Sequence, residues 1–131
     1  MAKYAYPAVF TKEERGYSVE FPDIEGCFTC GDTLPEAVEM AGDALCLMLY
    51  DHEEDGEPVP PPSDVRALQE QTENIVSLIF CDTLEYRKRY DSRTVRKTLS
   101  LPNWLNTLSE RAGLNFSAVL EEALKAKLNL S

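Results

Sequence analysis

The sequence predicts an α+β protein built from two units. Short apolar runs and one long helical period occupy residues 1–90, whereas a strand–helix–turn–helix pattern occupies residues 91–131. The net charge also changes sign between them. The first part holds 19 acidic and 7 basic side chains, a net charge of −12, and the second holds 4 and 6, a net charge of +2. We therefore predict domains at 1–90 and 91–131, with different partners.

The composition argues against a disordered chain, a membrane protein and a secreted disulfide-rich protein. Of the 131 residues, 44% are hydrophobic, which is enough for a core and too many for a disordered chain. No apolar run reaches the ~18 residues of a membrane span, and the N-terminus lacks the apolar stretch of a secretory signal. Four cysteines without an export signal predict reduced thiols in a cytoplasmic protein.

Three short strands are predicted at the start of the chain. Tyr4–Phe10 is aromatic and β-branched, Tyr17–Phe21 alternates apolar and polar residues, and Cys27–Cys30 is a third short run. Polar segments containing glycine or proline separate them. The simplest arrangement is an antiparallel meander.

A long amphipathic helix is predicted to follow. Asp32 or Thr33 can cap it, Pro35 suits its first turn, and its pattern ends near His52. Apolar residues recur at helical spacing, which predicts one buried face. That face comprises Ala37, Ala41, Ala44, Leu45, Met48 and Leu49.

The rest of the first unit is predicted from composition. Residues 51–62 are acidic and then proline-rich, so we expect an extended connector. Residues 74–81 form the most apolar run and are predicted to be a central strand. Residues 84–90 suggest a short helix whose basic residues 87–89 lie on a solvated face, with contact to nucleic acid as the alternative. Residues 91–92 are the expected hinge.

The second unit is predicted to need a second copy of itself. In the strand 95–101, Leu99 and Leu101 share one face, and helices are expected at 102–112 and after the cap Asn115. A lone strand has unpaired edges, and a ~40-residue unit rarely buries a sufficient core. Pairing two copies of the strand gives an antiparallel ribbon. The predicted dimer core contains Leu99, Leu101, Leu105, Leu108, Val119, Leu120 and Leu124.

The outer face of this ribbon is a candidate DNA-reading surface. Arg96, Thr98 and Ser100 alternate with the leucines, and a two-stranded ribbon fits the major groove. We predict that these three side chains contact bases; the alternative is an exposed strand face without a ligand. The second helix begins with free N–H groups suited to phosphate. The predicted phosphate contacts are Lys97, Asn115, Phe116 and Ser117.

Two sets of motifs resemble known families. Residues 95–129 resemble a ribbon-helix-helix DNA-binding domain, through Leu101–Leu105 (LPNWL) and Gly113–Ser117 (GLNFS). Residues 4–60 resemble the N-terminal domain of the HicB antitoxin family. The residues that carry this second likeness are Tyr6–Phe10, Gly16-Tyr17, Phe21–Asp23, Gly26–Thr29 and Gly31–Ala37.

The resemblance implies a partial RNase H-like fold without nuclease activity in the first domain, followed by a ribbon-helix-helix dimerisation domain. It also implies an antitoxin of a type II toxin–antitoxin system. Such a protein neutralises a HicA-type toxin, a small basic mRNA-cleaving protein, and represses its own operon by binding operator DNA. We expect a homodimer that forms through the ribbon, and higher oligomers are also possible. The alternative is a stand-alone ribbon-helix-helix regulator whose N-terminal domain senses a small molecule.

Catalytic and metal chemistry are not predicted. Cys27 and Cys30 have the spacing of half a zinc site, but residues three apart on a strand point to opposite faces. Cys46 lies on the predicted helix and Cys81 on a distant strand, and His52 is the single histidine. No set of carboxylates is expected to converge as an RNase H-type nuclease would require. We therefore expect no catalytic residues, no metal site, no cofactor and no enzyme activity.

Overall fold

The computed structural model describes residues 2–130, which form two compact units. The first unit ends at Arg93 and the second begins at Thr94, three residues beyond the predicted boundary. In the part of the chain that is described, no helix is both long enough and apolar enough to span a membrane.

A four-stranded antiparallel sheet forms the frame of the first unit. Its strands are β1 (Lys3–Lys12), β2 (Tyr17–Glu20), β3 (Phe28–Gly31) and β4 (Ile75–Asp82), in the order β3-β2-β1-β4. All neighbouring strands are antiparallel, which confirms the predicted meander. The prediction that residues 74–81 form a central strand is wrong, because β4 lies at the sheet edge.

Helix α1 (Leu34–Asp55) begins and ends at strong sequence signals. The side chain of Thr33 accepts a hydrogen bond from the backbone N–H of Glu36 at 3.3 Å, and proline occupies the first turn. Gly56 ends the helix in the left-handed conformation, with φ at 67°. The helix therefore runs past the predicted end near His52, and the first residues of the expected connector 51–62 are helical.

One face of α1 covers one face of the sheet. Ala37, Ala41, Leu45 and Leu49 are fully buried, with Ala44 and Met48 at the margin, which confirms the predicted stripe. The helix passes very close to the end of β3. A Cβ atom on Gly31 would lie 2.5 Å from the backbone nitrogen of Ala37, so only glycine fits there. The sheet contributes Tyr6, Ala8, Phe10, Val19, Ile79 and Cys81 to this core.

A short helix that the sequence analysis missed supports the edge strand. Helix α2 (Val65–Glu70) follows the proline segment and is capped by Asp64, whose side chain accepts from the N–H of Arg66 at 2.9 Å. Its Gln69 side chain accepts a hydrogen bond from the backbone N–H of Val76 at 3.0 Å. A helix of six residues without a buried face is too short to show a helical repeat of apolar residues. The hydrophobic pattern of the sequence therefore did not reveal it.

Helix α3 (Thr83–Tyr90) packs a basic residue against α1. Asp82 caps this helix by accepting from the N–H of Leu84 at 3.0 Å. The Arg87 side chain is only 13% exposed and forms ion pairs with Glu53, at 3.0 Å, and with Glu54. The predicted solvated face for residues 87–89 is therefore wrong at Arg87, since the nearly buried carboxylate of Glu53 and the more exposed one of Glu54 hold its guanidinium.

The carboxylate of Glu53 connects three elements of the first unit. It accepts hydrogen bonds from the Tyr4 hydroxyl at 2.9 Å and the Thr83 hydroxyl at 2.8 Å, besides its ion pair with Arg87. Burial pushes the pKa of Glu53 upward, but the bonds from Thr83, Tyr4 and Arg87 outweigh burial and lower that pKa to about 2. Burial, followed by the bond and charge of Glu53, raises the pKa of Tyr4 to about 12.

The second unit contains two helices preceded by an extended segment. They are α4 (Asn103–Arg111) and α5 (Phe116–Lys127), close to the predicted 102–112 and to the predicted start after Asn115. Within the described residues, segment 95–101 forms neither a helix nor a ladder with another strand. A strand is defined by its pairing, so a ribbon formed by two copies of this segment stays a prediction.

The Glu53 cluster predicts a specific acid sensitivity. Because the pKa of Glu53 is lower in the folded state than its ordinary value of 4.5, its contribution to stability is full above that value and is lost as the pH falls towards 2. We expect Glu53→Gln to reduce the free energy of unfolding by about 2–4 kcal/mol at pH 7. Urea denaturation at several pH values measures both effects.

Glu54→Gln is the matched control. The Glu54 side chain is 43% exposed and pairs with the same guanidinium, so we expect its loss to cost less than about 1 kcal/mol. The stability of the Glu53→Gln variant should also fall less between pH 5 and pH 2 than that of the wild type, because the variant has no carboxylate at position 53 to take up a proton. Equal losses in the two variants would contradict the role given to Glu53.

Candidate functional site

The apolar residues of the second unit lie on its surface. The seven residues of the predicted dimer core are each between 37% and 58% exposed in the single chain. They come from the extended segment and from one side of each helix, and they are Leu99, Leu101, Leu105, Leu108, Val119, Leu120 and Leu124. Among residues 94–130 none is buried. Exposed apolar side chains in this number are typical of one half of an interface.

The candidate base-contacting residues lie on the extended segment. Arg96, Thr98 and Ser100 are all exposed. In the part of the chain that is described, none of the three side chains takes part in a hydrogen bond or an ion pair, and the same holds for Lys97. By contrast, the guanidinium of Arg93 is held by Asp91 at 2.8 Å. The Arg96 guanidinium therefore keeps its fork of donors available for an external acceptor.

The remaining candidate phosphate contacts lie together at the start of α5. The side chain of Asn115 caps the helix and accepts a hydrogen bond from the backbone N–H of Ala118 at 3.1 Å. Phe116 and Ser117 follow in the first turn and are exposed. The preceding Gly113 adopts a φ of 70°, which lets the chain turn sharply between the helices. This turn presents a helix N-terminus to solvent, a favourable position for an anion.

A second candidate surface, missed by the sequence analysis, lies on the sheet face opposite α1. We call it the open face and define it by Phe28, Leu78 and Phe80, which are 73%, 56% and 62% exposed. The register places them on one side of the sheet. Phe28 lies opposite Glu20, which lies opposite Val9 on β1. Ala5 and Pro7 share the side of Val9, and they lie opposite Phe80 and Leu78. Apolar residues at both alternating positions of β4 were the available signal, but full burial gives the same pattern.

Acidic side chains surround a polar cleft elsewhere on the first unit. The cleft has a volume of about 420 Å³ and is lined by Asp23, Glu25, His52 and Glu57. His52 lies in the last turn of α1, with its Nδ1 atom 3.5 Å from a carboxylate oxygen of Glu57. Among residues 2–130, no group of three histidine, cysteine or acidic side chains is placed to hold a metal ion. Cys27 is buried and Cys30 exposed, as expected for residues three apart.

Comparison with known proteins assigns the chain to a family. A family model described as the HicB-like antitoxin of bacterial toxin–antitoxin systems matches residues 6–119, from β1 into α5. The chain belongs to the HicB-like antitoxin family. Antitoxin HicB 2 of Photorhabdus laumondii is 45% identical over 58 residues, which are 44% of this chain and 42% of that protein. The match to this relative thus spans less than half its length.

Two solved structures resemble the HicB-like chain over nearly its full length. A chain of a toxin–antitoxin complex from Streptococcus pneumoniae is 27% identical with a TM-score of 0.60, and the match covers 95% of this chain and 99% of that one. The antitoxin HicB3 is 26% identical with a TM-score of 0.50, over 98% and 99% of the two chains. The mixed α+β architecture is therefore that of solved HicB antitoxins.

Proposed function

We propose that this HicB-like protein is the antitoxin of a type II toxin–antitoxin system and the repressor of its own operon. The observation that carries the proposal is the family match at residues 6–119, which extends across both units. The similar Streptococcus pneumoniae chain comes from a toxin–antitoxin complex. In this proposal the protein acts by binding, without a catalytic group or cofactor, and it works in the cytoplasm.

The first unit is the part we assign to a HicA-type toxin. Its net charge of −12 complements a small basic RNA-binding protein and steers the encounter. The meander and its covering helix support the partial RNase H-like fold implied by the family. The open face, with Phe28, Leu78 and Phe80, supplies apolar area for contact, and Glu20 adds a carboxylate within it. A bound toxin there would have its own RNA-binding surface covered.

The second unit is the part we assign to operator DNA. Its exposed leucines support a ribbon-helix-helix dimer, because burying them against a second copy removes a large apolar surface from water. In that dimer the segments 95–101 pair, and Arg96, Thr98 and Ser100 face the major groove. Lys97 and the Asn115–Ser117 turn contact phosphates. The net charge of +2 lets this unit approach DNA although the whole chain is acidic.

Toxin binding is tested at the open face. We expect the double variant Leu78→Ser, Phe80→Ser to bind the toxin at least about tenfold more weakly, because apolar anchors carry most interface energy. Growth rescue during toxin expression and calorimetry with a catalytically inactive toxin measure the effect. Leu47→Ser, which removes an exposed apolar side chain from α1, is the control and should bind normally. Full rescue by the double variant would contradict this surface assignment.

Dimerisation is tested within the extended segment. Leu99→Asp should weaken the dimer by roughly a hundredfold or more, because it places a charge in an apolar interface. Thr98→Asp adds the same charge on the opposite face and should leave the dimer intact. Sedimentation velocity at micromolar concentration distinguishes the two. A Leu99→Asp variant that remains dimeric would exclude the shared strand.

Operator binding is tested with two arginines of the same region. Arg96→Ala should cost about 1–3 kcal/mol of binding to DNA from the promoter of its own operon, and leave toxin neutralisation unchanged. Arg93→Ala is the control, since Asp91 already pairs with that guanidinium. Mobility shifts at fixed salt measure both variants against an unrelated duplex. Operator binding without any toxin binding by the wild type would favour the stand-alone regulator.

A further inference from the structure

Two cysteines that are far apart in sequence lie side by side in the first unit. The Sγ atoms of Cys46, on α1, and Cys81, on β4, are 2.7 Å apart although 35 positions separate the residues. Bonded sulfur atoms are about 2.05 Å apart, so only about 0.7 Å separates this pair from disulfide distance. The expectation that the strand carrying Cys81 is distant from Cys46 is therefore wrong. Both thiols are free.

The packing around the pair holds one sulfur inside and leaves the other accessible. Cys81 is almost fully buried in the core, whereas Cys46 is partly exposed. Both line an open cleft of about 370 Å³, together with Gly42, Phe80 and Tyr86. A Cβ atom on Gly42 would meet nothing within 4 Å, so the helix leaves room beside Cys46. A small molecule can reach the Cys46 sulfur through this cleft, whereas the Cys81 sulfur is buried next to it.

The two thiols also differ in acidity, and the accessible thiol of Cys46 is the more acidic one. The hydrogen bond with Cys81 lowers the pKa of Cys46, burial opposes this, and the backbone N–H of Asp82 lowers it further. The same thiol–thiol bond, together with burial, raises the pKa of Cys81. When Cys46 is a thiolate, the S–H of Cys81 donates to it. The accessible sulfur is thus the better nucleophile, and the buried one keeps its proton.

We propose that Cys46 and Cys81 form a redox-active dithiol site that reacts with low-molecular-weight disulfides. The Cys46 thiolate attacks one sulfur of the disulfide, which forms a mixed disulfide and releases the other half as a thiolate. Cys81 then gives its proton to that thiolate and attacks the Cys46 sulfur. The second half leaves and takes a proton from solvent. Two protein thiols become one disulfide, and one small disulfide becomes two thiols.

The two elements that carry the cysteines already pack against each other. Helix α1 and strand β4 already pack together through Leu45, Leu49 and Ile79, so the bond joins elements that are neighbours in the reduced protein. Closing a loop of this length restricts the unfolded chain and should raise the melting temperature by about 10 °C. In a reducing compartment the pair stays a dithiol, and the disulfide forms only when oxidised small thiols accumulate.

The test uses the full chain with Cys30→Ser, since Cys30 is exposed and would react independently. The reduced protein is incubated with oxidised glutathione and examined by intact mass and peptide mapping. We expect the loss of two hydrogens, a cross-link between the peptides of Cys46 and Cys81, no retained glutathione, and full reversal by dithiothreitol. The oxidised form should also melt at the higher temperature.

Single replacements in the same background separate the two roles. Cys81→Ser should stop at the mixed disulfide, with one glutathione retained on Cys46. Cys46→Ser should form neither the disulfide nor an adduct at Cys81, which is buried. Cys27→Ser should oxidise like the parent chain. The proposal is overturned if the parent chain keeps both thiols free, if the bond joins Cys27 to another residue, or if Cys81→Ser takes up no glutathione.

Discussion

A single helix has to cover a four-stranded sheet, and much of the first unit depends on this constraint. The stripe from Ala37 to Leu49 buries one sheet face, and Gly31 allows the helix to approach at backbone distance. No second helix of this unit is long enough to cover the other face, since α2 and α3 have 6 and 8 residues. Phe28, Leu78 and Phe80 therefore remain in solvent, where a partner protein can use them.

The second unit has even less structure to cover its apolar side chains. Its helices are amphipathic, but within residues 94–130 the chain encloses no core of its own. Apolar side chains of this number lower the free energy of an assembly rather than of a monomer. In the proposed dimer, dimerisation and DNA binding are coupled. The segment whose Leu99 packs in the dimer interface also carries Arg96, which contacts DNA. In the proposed function, both units cover their exposed apolar side chains by binding another chain.

Local signals predicted most elements of the fold. The cap at Thr33, the spacing of the alanines and leucines, and the alternation in β1 and β2 are short-range properties that survive folding. The position of β4 was not predictable in this way, because an apolar run looks alike in a central strand and beside an exposed face. Helix α2 has no buried side, so its six residues follow no period.

Contacts between distant residues account for the rest of what the sequence could not reveal. The placement of Arg87 against Glu53 and of Cys46 against Cys81 depends on how α1, α3 and β4 pack, and a single sequence carries no record of that packing. The candidate site divides in the same way. Asn115 caps α5 as its sequence position indicates, whereas the open face follows from strand order.

The shared carboxylate of Glu53 has a consequence for how this family member can change over evolutionary time. Tyr4 lies on β1, whereas Thr83 and Arg87 lie on α3, and each loses one of its hydrogen bonds if position 53 is replaced by an apolar residue. Substitutions among these four positions are consequently expected to be epistatic, with the effect of a pair differing from the sum of the singles. We expect these four positions to change together during evolution. Exposed positions without such shared contacts can change one residue at a time.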